Sequence, residues 1–296
     1  MNENEILQLL KDKLNTIKHF DEDDFNPESM KNSPNRSKSS KSSYYFKLKR
    51  NNLFDGLEPF HEIDERYNSI GSSAAFVFNT FGNIGSKFKY NNNEYCIMAY
   101  EKELPAIKST LKSHEHNAHL DAYIINDKEE IFVETKLIEW LKPPKNLHPA
   151  YLDKHNYLYT DDADFFIEIF KSLISNQLVR DSKGEYRYKS KYEKYDAIQM
   201  TIHTLAIYNY CLSKSNKKNI IKLWNVVFDY KEADKYITEE QEANDFIKKY
   251  SGKFNELFLN IGINFELQYI PFSEFYKKIE FDDIRHKEYL KRYIID

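Results

Sequence analysis

His119-Leu120-Asp121-Ala122-Tyr123-Ile124-Ile125, then Asn126-Asp127-Lys128-Glu129, then Glu130-Ile131-Phe132-Val133-Glu134-Thr135-Lys136-Leu137 is the stretch that decides the fold. Two apolar runs of strand length flank a short polar turn, the signature of a β-hairpin. A turn centred between Asp127 and Lys128 sets Ile125 opposite Glu130 and, four steps along, Asp121 opposite Glu134. Side chains alternate along a strand, so Lys136 shares the face of Glu134. Two carboxylates thus stand side by side with an ammonium one step away. Like charges directly opposite on a sheet repel. In an apolar hairpin they call for a compensating cation, and a divalent metal supplies more charge than one lysine.

Hard oxygen ligands suit Mg²⁺, which keeps several waters. A metal so held activates water and polarises a phosphodiester, while a neighbouring lysine orients or deprotonates the water and screens developing charge. A Glu-x-Lys triplet by itself recurs about three times by chance in a chain this rich in both residues. A solvated ion pair on a hairpin edge is the plain alternative. The combination carries the reading: an acid on the first strand, apolar flanks on both, and a separation that makes the acids partners.

Outward from the hairpin, Ser72–Phe81 reads as a helix closed by Gly82, and Tyr95–Glu103 as a strand. Pro143-Pro144 ends the segment after Leu137, and an aromatic-rich stretch to Tyr195 holds one expected helix, Asp161–Ser175. A helix over Asp196–Leu212 and a strand over Ile220–Phe228 follow. The tail reads as helix 239–259, strand 263–270 and closing helices. The expectation is an α/β fold whose core runs helix, three-strand antiparallel meander, helix, strand, with helical N- and C-terminal additions. The divisions are 1–57 as an N-terminal helix (4–20) and basic arm, 58–230 as the core with an insertion at 143–195, and 231–296 as a helical and strand extension packed on it.

This arrangement resembles the PD-(D/E)XK nuclease superfamily, the restriction-endonuclease-like fold, through Asp121 and Glu134-Thr135-Lys136. Ser72–Asn79, Glu134–Trp140 and Gln199–His203 are similar to segments of one bacterial branch, and the resemblance spans roughly 58–230. Leu120 stands where the family's name-giving proline would be. The resemblance implies that Asp121, Glu134 and the Thr135 carbonyl bind Mg²⁺, with Mn²⁺ as a substitute, and that Lys136 serves the water. It also implies an upstream acid, for which Glu101 is the candidate and Glu62 and Glu65 the rivals. Gln199 would support the site, with His203 on its face one helical turn on. His119, two residues before Asp121, lies on that acid's face and within reach of a phosphate.

Rival constellations are weaker. His114, His116 and His119 have the HxHxxH spacing of a metallo-β-lactamase-like zinc hydrolase, but Ala118 stands where that pattern carries an aspartate. Cys96 and Cys211 sit in apolar runs and read as buried thiols. No GxSxG, GxGxxG or GxxxxGK[ST] motif occurs, which removes serine-hydrolase, Rossmann and P-loop readings.

Over 296 residues, 30% charged and 41% hydrophobic, the net charge is -4. That excludes a uniformly basic nucleic-acid coat. The charge is uneven, however: residues 31–50 carry seven basic groups and no acid. From that arm Arg36, Lys38, Lys41, Lys47, Lys49 and Arg50 are expected to contact phosphates, releasing counterions. The apolar runs fall far short of the ~20 residues of a membrane span. The acidic start lacks a signal-peptide pattern, and two cysteines are too few for a disulfide framework. The expected protein is a cytoplasmic, Mg²⁺-dependent endonuclease on double-stranded DNA, in type II restriction or related defence, and a homodimer where the target is palindromic. A non-catalytic DNA- or protein-binding module on the same fold, or a nuclease on RNA or on branched or damaged DNA, are the alternatives.

Overall fold

The computed structural model describes residues 3–16, 73–108, 117–215 and 218–295. The basic arm with Arg36, Lys38, Lys41, Lys47, Lys49 and Arg50, the acids Glu62 and Glu65, and His114 and His116 lie outside the described residues. Helix α1 spans Glu3–Thr16, α2 Ser73–Phe81, α3 Ala163–Leu173, α4 Ala197–Ser213, α5 Asp234–Leu259, α6 Phe272–Lys278 and α7 Ile284–Leu290. The strands are β1 (Lys87–Tyr90), β2 (Asn93–Pro105), β3 (Asn117–Ile125), β4 (Glu129–Lys136), β5 (Ile174–Arg180), β6 (Tyr186–Ser190), β7 (Ile220–Val227), β8 (Asn264–Pro271) and β9 (Ile279–Glu280).

The chain is α/β, built on a seven-stranded mixed sheet ordered β8-β7-β4-β3-β2-β1-β9. Its antiparallel meander β2-β3-β4 joins, through parallel pairing, to β7 and then β8. Ile131-Phe132-Val133 is a continuous apolar run because β4 is central and covered on both faces. One buried cluster gathers α2, β1, β7 and the C-terminal helices, with Phe76, Trp224 and Phe275 at its centre. The other lies under α3, α4 and α5, with Phe166, Met200 and Phe254. Helices therefore cover both faces. Among the described residues no helix is long and apolar enough to cross a membrane.

Several elements depart from the sequence reading. The helix expected over 161–175 stops at Leu173, and Ile174 turns at once into β5, which pairs with β6 as a separate two-stranded sheet. β1 alternates cleanly but over only four residues, and β5, β6 and β9 are short or exposed, so none carries the longer apolar alternation that marks a strand. The 231–296 segment supplies strands at both ends of the main sheet, β8 beside β7 and β9 beside β1.

Candidate active site

The hairpin register is the one its turn dictates: the pairs run from Ile125↔Glu130 to Ala122↔Val133. There the β3–β4 ladder stops, although β3 continues against β2 as far as Asn117. One step beyond the last pair, Asp121 and Glu134 face each other where the strands part. Thr135 N–H, left without a backbone partner by the splay, donates to Asp121 Oδ2 at 2.6 Å, and the Thr135 hydroxyl donates to the same oxygen at 2.7 Å. Asp121 Oδ1 keeps no hydrogen-bond partner among the described residues. The N–H and C=O of one strand residue point to the same side, so the Thr135 carbonyl also faces Asp121.

Glu134 is buried, with a partner on each oxygen and one acceptor site of Oε2 left over. Its Oε1 accepts from Lys136 Nζ at 2.5 Å and Gln199 Nε2 at 2.8 Å, while Oε2 meets His203 Nε2 at 3.0 Å. Lys136 Nζ also donates to Gln199 Oε1 at 2.9 Å, closing a three-membered ring of contacts. Both α4 residues are placed by local rules. Asp196 caps the helix by accepting from Gln199 N at 3.1 Å, which fixes Gln199 in the first turn, and His203 follows one turn later on the same face. His203 Nδ1 is buried with no partner among the described residues.

Electrostatics separate the two acids. Burial pushes the Asp121 carboxyl well up, and Glu134 and Glu101 push it further, against the Thr135 hydrogen bond and Lys136. Burial acts the same way on Glu134, but Lys136 and His203 outweigh it and hold that carboxyl far below the usual range. Lys136 is held firmly as an ammonium: burial opposes the charge, and Glu134, Glu139 and Asp196 more than offset it.

Glu101 falls between the pairs Tyr100↔Ala122 and Lys102↔Leu120, next to Asp121 across β2 and β3. Its φ of 46° is left-handed, a strain of order 1–2 kcal/mol for a non-glycine residue and of the kind that gathers at functional sites. His119 is exposed, paired with Glu103, and makes no contact with the carboxylates. Leu120 is fully buried in the second core.

Among the described residues no three His, Cys, Asp or Glu side chains form a ready-made metal cluster. Mg²⁺ does not need one, since it binds through one or two carboxylates and fills its shell with water and substrate oxygens. The donor set fits that habit: two hard carboxylates, a backbone carbonyl on the same side and an open Asp121 oxygen.

Some contributors carry no sequence signal. Asn225 lies beside Glu134 in the parallel pair and donates to its carbonyl at 3.4 Å. Glu139 accepts from Leu137 N and Ile138 N at 2.6 and 3.0 Å, bracing the chain just after Lys136. A cleft of about 150 Å³ is lined in part by Lys136, together with Lys142, Lys145 and Lys194 and with Trp140, Tyr195 and Glu239. These meet only through tertiary packing. No family model, curated protein or solved structure gives a significant match to the chain.

Proposed function

We propose that the chain is a Mg²⁺-dependent endonuclease that hydrolyses DNA phosphodiester bonds on a restriction-endonuclease-like core, acting in the cytoplasm in restriction or a related defence. One observation carries this: Asp121 and Glu134 stand together where β3 and β4 part, with the Lys136 ammonium clamped between Glu134 and Gln199. The order β2-β3-β4, α4, β7, with β7 parallel to β4, supports the core assignment.

In this reading Asp121, Glu134 and the Thr135 carbonyl hold Mg²⁺, or Mn²⁺ in its place. The ion would supply Lewis acidity at the phosphate and make water a nucleophile near neutral pH. Lys136 Nζ directs a lone pair of the attacking water toward phosphorus and faces the negative charge that grows on the phosphoryl oxygens. Gln199 and His203 are positioning residues: Gln199 fixes the ammonium, and both fix the Glu134 carboxylate. Thr135 fixes Asp121. Glu101 adds negative charge beside Asp121 and so favours the cation.

The test is incubation of the purified chain with plasmid and phage DNA, with and without Mg²⁺, followed by sequencing of the ends. Cleavage that needs the metal is expected. Asp121→Asn and Glu134→Gln should each lower it by about a hundredfold or more while the far-ultraviolet spectrum stays unchanged. Full activity in either variant would falsify the site.

A further inference from the structure

Strands β5 and β6 pair with each other and with no strand of the main sheet. A lone hairpin is at best marginally stable in water, and this one is pinned at its base. Tyr188 exchanges both backbone hydrogen bonds with Leu147, at 2.9 and 2.8 Å, and Ser190 N donates to the Asn146 side chain at 3.1 Å. Lys191 N donates to the Leu173 carbonyl at 2.9 Å. Beyond those anchors the ribbon projects apolar and basic groups into solvent. Leu178 and Tyr186 are 49% and 53% exposed, and Arg180 stacks on the Tyr186 ring at 5.0 Å.

The charge is one-sided. Residues 174–191 carry five basic side chains against two acids. Both acids are bound to one arginine, Arg187, to Asp181 at 3.0 Å and to Glu185 at 2.7 Å. Arg180, Lys183, Lys189 and Lys191 are exposed around that knot, and they leave the hairpin with a net positive charge. The anchor lies close in sequence to the cleft beside Lys136: Leu147, which pairs with Tyr188, comes two residues after Lys145 of the cleft lining.

We propose that the β5–β6 hairpin is a duplex-DNA contact ribbon that enters the major groove, with Arg180 and Lys189 among its contacts; this rests on the nuclease reading for its substrate. The B-form major groove admits a two-stranded ribbon, whereas the A-form groove of RNA is too deep and narrow for one. Lysine is depleted from protein–protein interface cores, so a lysine-bearing ribbon suits a polyanion better than a protein partner. Arg180 has the fork geometry for a guanine edge, and Leu178 offers apolar contact to thymine methyl groups.

The experiment uses the full chain carrying Asp121→Asn, so that bound DNA stays intact, with and without Arg180→Gln plus Lys189→Gln. Affinity for duplex DNA and for duplex RNA of matching sequence is measured across a salt series. The double substitution should weaken DNA binding roughly ten- to hundredfold and flatten the log–log salt slope by about one, as for the loss of one phosphate contact at Lys189. RNA binding should be weaker and unmoved. Unchanged DNA affinity and slope, or equal RNA affinity, overturns the ribbon. Mg²⁺-dependent cleavage by the unsubstituted chain is scored separately. Hairpin-dependent binding without cleavage keeps the ribbon and removes the nuclease; cleavage with an unmoved slope does the reverse.

Discussion

Lys136 touches Glu134 and Gln199 at once, and Gln199 in turn donates to the Glu134 oxygen that Lys136 contacts. Gln199→Ala deletes the amide that fixes the ammonium. Turnover on DNA should fall roughly tenfold, as befits a lost orienting contact, while KM moves less than about twofold. A matching rise in KM would show that Gln199 binds substrate instead. The Asp121–Glu134–Lys136 set was legible from the hairpin because the turn and the two-residue period fix which side chains meet. The open strand end was not legible. Thr135 N–H bonds a side chain in place of a strand, and nothing in the local pattern shows where a ladder stops.

Among the elements, α5 holds a buried acid against β8: the Tyr269 hydroxyl donates to Glu239 Oε2. Burial pushes the Glu239 carboxyl up to about 8, against the hydrogen bond from Tyr269. Between its ordinary value of 4.5 and about 8 the folded chain therefore holds a proton that the unfolded chain has released. Stability should fall as pH rises through that window, with a slope approaching about 1.4 kcal/mol per pH unit from this group, and level off above it. Glu239→Gln keeps an oxygen for Tyr269 and cannot ionise. Denaturant titrations should show the variant more stable than the parent at pH 8 and the two converging near pH 4–5. Parallel curves over the range would place the pH dependence elsewhere. The long helix was readable from its apolar spacing, although it begins at Asp234, five residues before the expected start. Its burial of an acid was not, since a glutamate on a charged helix ordinarily faces water.

At the scale of the whole molecule, the C-terminal segment closes the sheet. Phe275, from α6, packs against Phe81 of α2, Tyr90 of β1 and Trp224 of β7, with ring centroids 5.6, 4.9 and 6.0 Å away. One ring thus ties residues about two hundred positions apart in sequence into one core. Phe275→Ala should cost about 3–5 kcal/mol, seen as a lower urea midpoint with the same m-value. A loss under about 1 kcal/mol would mean that the C-terminal segment packs loosely and is not part of the sheet's core.

By itself the sequence determined the α/β class, the three-strand meander, the register of its β3–β4 hairpin, and the meeting of Asp121, Glu134 and Lys136. Those follow from turn length and side-chain alternation, which act over some twenty residues. Only the tertiary structure decided that α4 lays Gln199 and His203 on Glu134, that β8 and β9 extend the sheet at both ends, and that Lys142, Lys145 and Lys194 gather with Lys136 around one cleft. Those contacts join segments that are remote in the chain, and the burial that pairs them depends on the shape of the whole core, not on any local period.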